Sequence, residues 1–68
     1  MSDAFKLGRI ASLQAETYAA VARIEGMKAL NQWRESRGEG QAYDEAAFYA
    51  ESKTLEYIAT SLREVADV

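Results

Sequence analysis

The sequence predicts an all-α fold, an antiparallel two-helix hairpin expected to assemble as a dimeric four-helix bundle. The 68 residues contain no proline, and most of the chain consists of residues that favour helix. Two glycines, Gly38 and Gly40, mark a turn near the middle. The apolar surface of the first helix is wider than one hairpin can bury. We therefore expect a single helical-hairpin domain over 1–68, with helix one at about 3–37, the turn at about 38–43 and helix two at about 44–66.

Helix one begins near Ser2 or Asp3, since either can cap it and Asp3 also suits the positive end of the helix dipole. Nothing breaks the helical pattern before Gly38. Gly8 and Gly26 lie inside the helix, where each costs about 1 kcal/mol relative to alanine. We interpret them as positions of close helix approach, and a hinge at Gly26 is the alternative.

The turn carries the clearest local signals in the sequence. Asp44 can cap helix two with its side-chain oxygen, and Glu45 suits the positive end of that helix's dipole. Tyr43 and Phe48 have the spacing of a hydrophobic staple. We expect Trp33 to complete a turn cluster with Tyr43, Asp44 and Phe48. Helix two then presents a narrow apolar stripe formed by Ala47, Phe48, Thr54, Leu55, Ile58, Leu62 and Val65.

The apolar arc of helix one, roughly 200° wide at 100° per residue, predicts that a second chain covers it. A chain this short rarely closes a core without a disulfide, a metal or a partner, and it has no cysteine or histidine. If the hairpin folds back around Glu39, helix two ends opposite about residue 11. Phe5, Leu7 and Ile10 then have no partner in their own chain and need a second one. We expect a symmetric dimer, with an interface of Phe5, Leu7, Ile10, Leu13, Gln14, Tyr18, Val21, Glu25 and Gln32.

Glu25 and Glu51 form the one arrangement that could carry chemistry. Both interrupt apolar faces, and facing carboxylates on two helices are the start of a metal site. Without histidine the ion would be a hard cation such as Mg²⁺, Mn²⁺ or Ca²⁺. The alternative is that each glutamate pairs with a nearby lysine or arginine, Lys28 being one candidate, or lies hydrated at a subunit seam. We favour the alternative and expect both glutamates to be partly buried and paired with basic or amide groups. We expect no catalytic residue, no cofactor and no metal.

Charge and hydropathy argue against two classes of function, nucleic-acid binding and membrane insertion. A net charge of −3 and a pI near 4.8 make nucleic acid an unexpected partner. Lys28, Arg34 and Arg37 could form a phosphate-binding tip, although Glu35 and Glu39 would largely cancel its charge. The apolar runs are too short for a membrane span, and the N-terminus lacks the layout of a signal peptide. We therefore expect a cytoplasmic protein without a membrane partner.

These observations favour a small non-enzymatic protein–protein interaction module. It would be an adaptor, inhibitor or assembly factor of the kind common among bacterial and phage proteins, acting as a homo-oligomer and binding a further protein. The four tyrosines suit this function, because tyrosine and arginine are frequent at interfaces. The alternatives are a carboxylate-based bundle that binds a divalent metal, and a small nucleic-acid-associated protein.

Overall fold

The computed structural model describes residues 3–67, which form two α-helices and no strand. Helix α1 spans Asp3–Ser36 and helix α2 spans Glu45–Ala66. They pack against each other as an antiparallel hairpin with extents of 54 × 17 × 9 Å. The predicted helix ends lie within one residue of these bounds, and the all-α, two-helix fold is confirmed. The capping role suggested for Ser2 falls outside the described residues.

A Schellman motif ends α1. The N–H of Gly38 donates to the carbonyl of Glu35 at 3.0 Å, and the N–H of Glu39 donates to the carbonyl of Arg34 at 2.9 Å. The motif requires a left-handed residue, and Gly38 supplies it with a φ of +77°. Gly40 does not adopt a positive φ. One of the two predicted turn glycines therefore closes the helix.

The predicted cap begins α2. The backbone of Asp44 is extended, and its Oδ1 accepts a hydrogen bond from the N–H of Ala47 at 3.1 Å. A cap of this kind contributes about 1 kcal/mol to stability. Glu45 follows in the first turn, where its negative charge complements the helix dipole.

Asn31 fixes the connection between the helices. Its Nδ2 donates to the carbonyl of Tyr43 at 2.8 Å, and its Oδ1 accepts from the N–H of Tyr43 at 2.9 Å. The side chain is buried, at 8% exposure. Because both partners are backbone groups, Asn31 pairs with Tyr43 much as a neighbouring strand would, and it satisfies groups that the turn leaves free.

The helices meet along positions spaced alternately by three and four, as in a coiled coil. On α1 the seam residues are Ile10, Leu13, Thr17, Ala20, Ile24, Met27, Asn31 and Arg34, all buried or half-buried. On α2 they are Ala47, Glu51, Thr54, Ile58, Ser61 and Val65, also buried or half-buried. Many of these side chains are small or polar, so the apolar pattern alone does not reveal the seam.

The core cluster lies towards the open end of the hairpin. Leu13, Ile58 and Val65 are buried there, and Ile10 and Leu62 pack against them. The expectation that Ile10 has no partner in its own chain is therefore wrong. The reason is the register: the contacts Arg23–Glu51 and Asn31–Tyr43 are both centred on residue 37, two positions before the expected fold-back. Consequently α2 ends level with about Gly8.

Gly8 and Gly26 do not serve close packing within the hairpin. A Cβ added at either position would meet no atom within 4 Å outside its own helix backbone. The close-approach interpretation is therefore wrong within this chain. Helix α1 also runs without interruption through Gly26.

Over residues 3–67, neither helix combines the length and the apolar composition needed to cross a membrane.

Candidate interaction surface

The hairpin has two broad sides, which flank the seam. Residues that directly follow a seam position, such as Val21 after Ala20 and Leu55 after Thr54, lie on one side in both helices. Residues that directly precede a seam position, such as Arg23 and Tyr57, lie on the other. The antiparallel arrangement places equivalent positions of α1 and α2 on the same side. The two sides differ in their chemistry.

We call the first the apolar side; it consists of Leu7, Gln14, Val21 and Lys28 of α1 with Phe48, Leu55 and Leu62 of α2. Leu7 is 65% exposed and Val21 is 43% exposed, while the three α2 residues are half-buried. Exposed Ala11, Tyr18 and Ala59 border it. Partly exposed apolar residues that cluster on one side, here interrupted by Gln14 and Lys28, are typical of a protein-binding site.

The opposite, charged side consists of Arg9, Glu16, Arg23, Leu30 and Arg37 of α1 with Ala50, Tyr57 and Glu64 of α2. From this side Arg23 reaches across the seam. Its Nε and Nη2 donate to the two carboxylate oxygens of Glu51 at 2.9 and 3.1 Å. Hydrogen bonding to Arg23 lowers the pKa of the Glu51 carboxyl, and hydrogen bonding to Glu51 raises the pKa of the guanidinium. The pair links the two helices through a bidentate, charge-assisted contact.

The structure divides the predicted interface residues between the hairpin interior and its surface. By position, six of the nine lie on the apolar side or along its α1 border: Leu7, Gln14, Tyr18, Val21, Glu25 and Gln32. Leu13 has 0% exposure, so the prediction that it contacts a second chain is wrong; its own hairpin already encloses it. Ile10 packs against the same core. Phe5 is exposed farther round α1.

The turn cluster forms only in part. Asp44 caps α2, Phe48 is half-buried, and Asn31 holds the backbone of Tyr43. Trp33 is 54% exposed, and the guanidinium of Arg37 lies over its ring at 4.6 Å from the centroid. This cation–π contact places Trp33 on the outer surface of α1 rather than at the centre of the turn.

Each of the two singled-out glutamates has its own cation. Lys28 Nζ lies 3.3 Å from Glu25 Oε1, so the predicted Glu25–Lys28 pair is confirmed, while Glu51 pairs with Arg23. The expected partial burial of Glu25 is wrong, because its side chain is 64% exposed at the edge of the hairpin. Within residues 3–67, no group of three acidic side chains has an arrangement that could hold a metal ion.

Acidic neighbours accompany the cations near the turn. Arg37 Nε lies 2.9 Å from Glu39 Oε1, and Arg34 Nε lies 3.5 Å from Glu39 Oε2. Glu35 accepts a hydrogen bond from Gln41 at 3.0 Å. Glu39 thus compensates positive charge that a phosphate would otherwise meet.

Asn31 is the positioning residue that the apolar pattern misses. The signal that could have found it is its place in the seam, four residues after Met27 and seven after Ile24. A lone asparagine at such a position commonly fixes the register of paired helices.

No family model, no curated protein and no solved structure matches this chain.

Proposed function

We propose that this chain is a non-enzymatic protein–protein interaction module that acts as a homodimer, in the form of a four-helix bundle. The observation that carries this proposal is the uneven burial of apolar residues. Among residues 3–67, the hairpin buries five hydrophobic side chains, Leu13, Ala20, Met27, Ile58 and Val65, whereas the large residues of the apolar side stay partly or largely exposed. A second hairpin packed on the apolar side would complete a four-helix bundle and bury these residues in a core between the two hairpins.

The free energy available from this pairing is large for a small domain. Moving a large apolar side chain such as Leu7 or Val21 out of water contributes about 1.5–3 kcal/mol when burial is complete. The whole stability of a domain is about 5–15 kcal/mol. The seam within one hairpin contributes less than an apolar seam would, because Ala20, Ser61 and Asn31 occupy it. Because Leu7 and Val21 are already partly covered, at 65% and 43% exposure, dimerisation would gain a corresponding part of this free energy and add it to the stability of the seam.

The bundle would leave other surfaces for a further protein. The charged side carries Tyr57, and the outer face of α1 carries Trp33 beneath Arg37. Tryptophan, tyrosine and arginine dominate the energetics of many protein interfaces. A cytoplasmic adaptor, inhibitor or assembly factor would use such residues to bind its target.

Sedimentation equilibrium of three proteins at micromolar concentration tests the proposal. We expect the wild type to have the mass of two chains and Val21→Asp to have the mass of one, since a carboxylate on the apolar side cannot be buried without a partner. Tyr57→Asp is the matched control on the charged side, and it should remain dimeric. A monomeric wild type would contradict the proposal. Dimers from both variants would show that the apolar side is not the interface.

A further inference from the structure

We infer that the two hairpins stack with their turns at the same end, so that α1 of each copy lies along α2 of the other. This inference rests on the proposed dimer and adds its geometry. Face-to-face stacking allows two symmetric arrangements. A two-fold axis parallel to the helices keeps the turns together and places α1 over the partner's α2. An axis perpendicular to the helices places the turns at opposite ends and α1 over the partner's α1.

The distribution of apolar residues along α1 distinguishes the two arrangements. The first half of its surface on this side is largely apolar, with Leu7, Ala11, Tyr18 and Val21. The second half is polar, with Glu25, Lys28 and Gln32. An opposite-end stack that covers the full length of α2 pairs α1 with itself in reverse about residues 18 and 19, and it lays Leu7 and Ala11 near the polar residues of the second half. That arrangement forgoes apolar burial and desolvates charged groups.

Over the first half of α1, the same-end stack matches apolar residues with apolar residues. The exception on this side is Phe48, which lies between the levels of the partner's Glu25 and the partner's Lys28. Because the hairpin is centred on residue 37, the α1 positions from Gly8 to Ala29 have level counterparts on α2. In the stack Ala11 meets the partner's Leu62, and Tyr18 meets the partner's Leu55. The largely apolar half of α1 is thus covered by the apolar half of α2, with Gln14 opposite the partner's Ala59.

Charge complementarity supports the same arrangement at the turn end. Glu45, the first residue of α2, borders the apolar side and is exposed, and over residues 3–67 no ion pair engages it. Along the hairpin axis, the exposed Lys28 lies within one residue of the level of Glu45. In the same-end stack Lys28 can therefore bridge its own Glu25 and the partner's Glu45. The two-fold axis generates this contact twice.

The area of the apolar side suffices for a dimer. The 22 residues of α2 span roughly 33 Å. With the 17 Å width of the hairpin, the side measures roughly 560 Å². Two copies would bury roughly 1,100 Å², which is just below the roughly 1,200–2,000 Å² of standard specific interfaces and above the minimum of about 1,000 Å² for a biological one. The same-end stack uses the whole length of α2.

A charge-reversal cycle tests the contact. Lys28→Glu and Glu45→Lys should each raise the dimer dissociation constant about fivefold, and the double variant should restore it to within about twofold. The cycle separates coupling across the interface from effects of either change on its own helix. Lys53→Glu, on the outer surface of α2, is the control and should leave the constant unchanged. A double variant as weak as the product of the single effects would overturn the Lys28–Glu45 contact.

Disulfide trapping distinguishes the stacks directly, because the chain has no native cysteine. The variant Gln14→Cys/Ala59→Cys should form a covalent dimer on oxidation, whereas Gln14→Cys/Glu25→Cys should not. The reverse result would overturn the same-end stack while leaving the proposed dimer intact. A wild type that sediments as a monomer would instead remove the dimer on which the inference rests.

Discussion

At the scale of single residues, Gly38, Asp44 and Asn31 fix where the helices end and how they connect. Gly38 and Asp44 could be assigned from the sequence, because each acts on backbone groups only a few positions away. Asn31 could not, since its partner, the backbone of Tyr43, is twelve positions distant. The exposure of Trp33 was also beyond the sequence, because its neighbours depend on the turn geometry.

Replacing Asn31 with alanine should destabilise the hairpin by about 1–3 kcal/mol. The substitution removes two hydrogen bonds and leaves the N–H and C=O of Tyr43 without these partners, each bond being worth about 0.5–1.5 kcal/mol. Urea denaturation at fixed protein concentration measures the loss. The exposed Ser12, on the outer surface of α1 away from the apolar side, is the control, and Ser12→Ala should change stability by less than about 0.5 kcal/mol. Equal losses in the two variants would contradict the role given to Asn31.

The Arg23–Glu51 pair should make stability depend on acid pH. Its hydrogen bonds hold the pKa of Glu51 below the value in the unfolded chain, which is about 4.3. The contribution of the pair is therefore fully present above the unfolded pKa and is lost as the pH falls through the lower folded pKa. Glu51→Gln should fold at neutral pH and lose less stability than the wild type on acidification. Urea titrations of both proteins at about pH 7 and about pH 3 measure this difference. Identical losses would contradict the linkage.

At the scale of the helices, local signals predicted the ends of α1 and α2 but not their mutual register. The register depends on the path of residues 39–43, which Asn31 holds from across the turn. The contact face was also misjudged in part. Alanine, serine and asparagine occupy seam positions, so the arc of α1 that faces α2 is only one part of its wide apolar arc. The contact between α1 and α2 follows the alternating three- and four-residue spacing of the seam positions rather than the hydrophobicity of each residue.

Substitutions at two glycines should have effects of opposite sign. Gly26→Ala should stabilise the protein by about 0.5–1 kcal/mol, because alanine favours helix and its Cβ would meet nothing. Gly38→Ala should destabilise it by about 1–2 kcal/mol, because a Cβ is strained at positive φ. Urea denaturation of both variants at one protein concentration tests the pair. A destabilised Gly26→Ala would show that another chain approaches α1 at that glycine.

At the scale of the whole molecule, the hairpin is thin and its two broad sides differ. The sequence predicted surplus apolar surface and several residues that carry it, because surface area follows from composition and helical spacing. It could not predict how that surface divides between the seam and the apolar side. Leu13 and Ile10 belong to the intrachain core, whereas Leu7 and Val21 lie on the apolar side.

That division decides which measurement tests the dimer. An aspartate at Leu13 would unfold the hairpin with or without a partner chain, because the hairpin alone encloses this residue. The concentration dependence of melting is free of this ambiguity. If unfolding is coupled to dissociation, mass action requires the melting temperature of the wild type to rise by several degrees between about 1 and 100 µM chain. Val21→Asp should melt at a lower temperature that does not change with concentration. A cooperative wild-type transition at one temperature across that range would mean that the hairpin is stable alone, and the apolar side would then be available to a different protein.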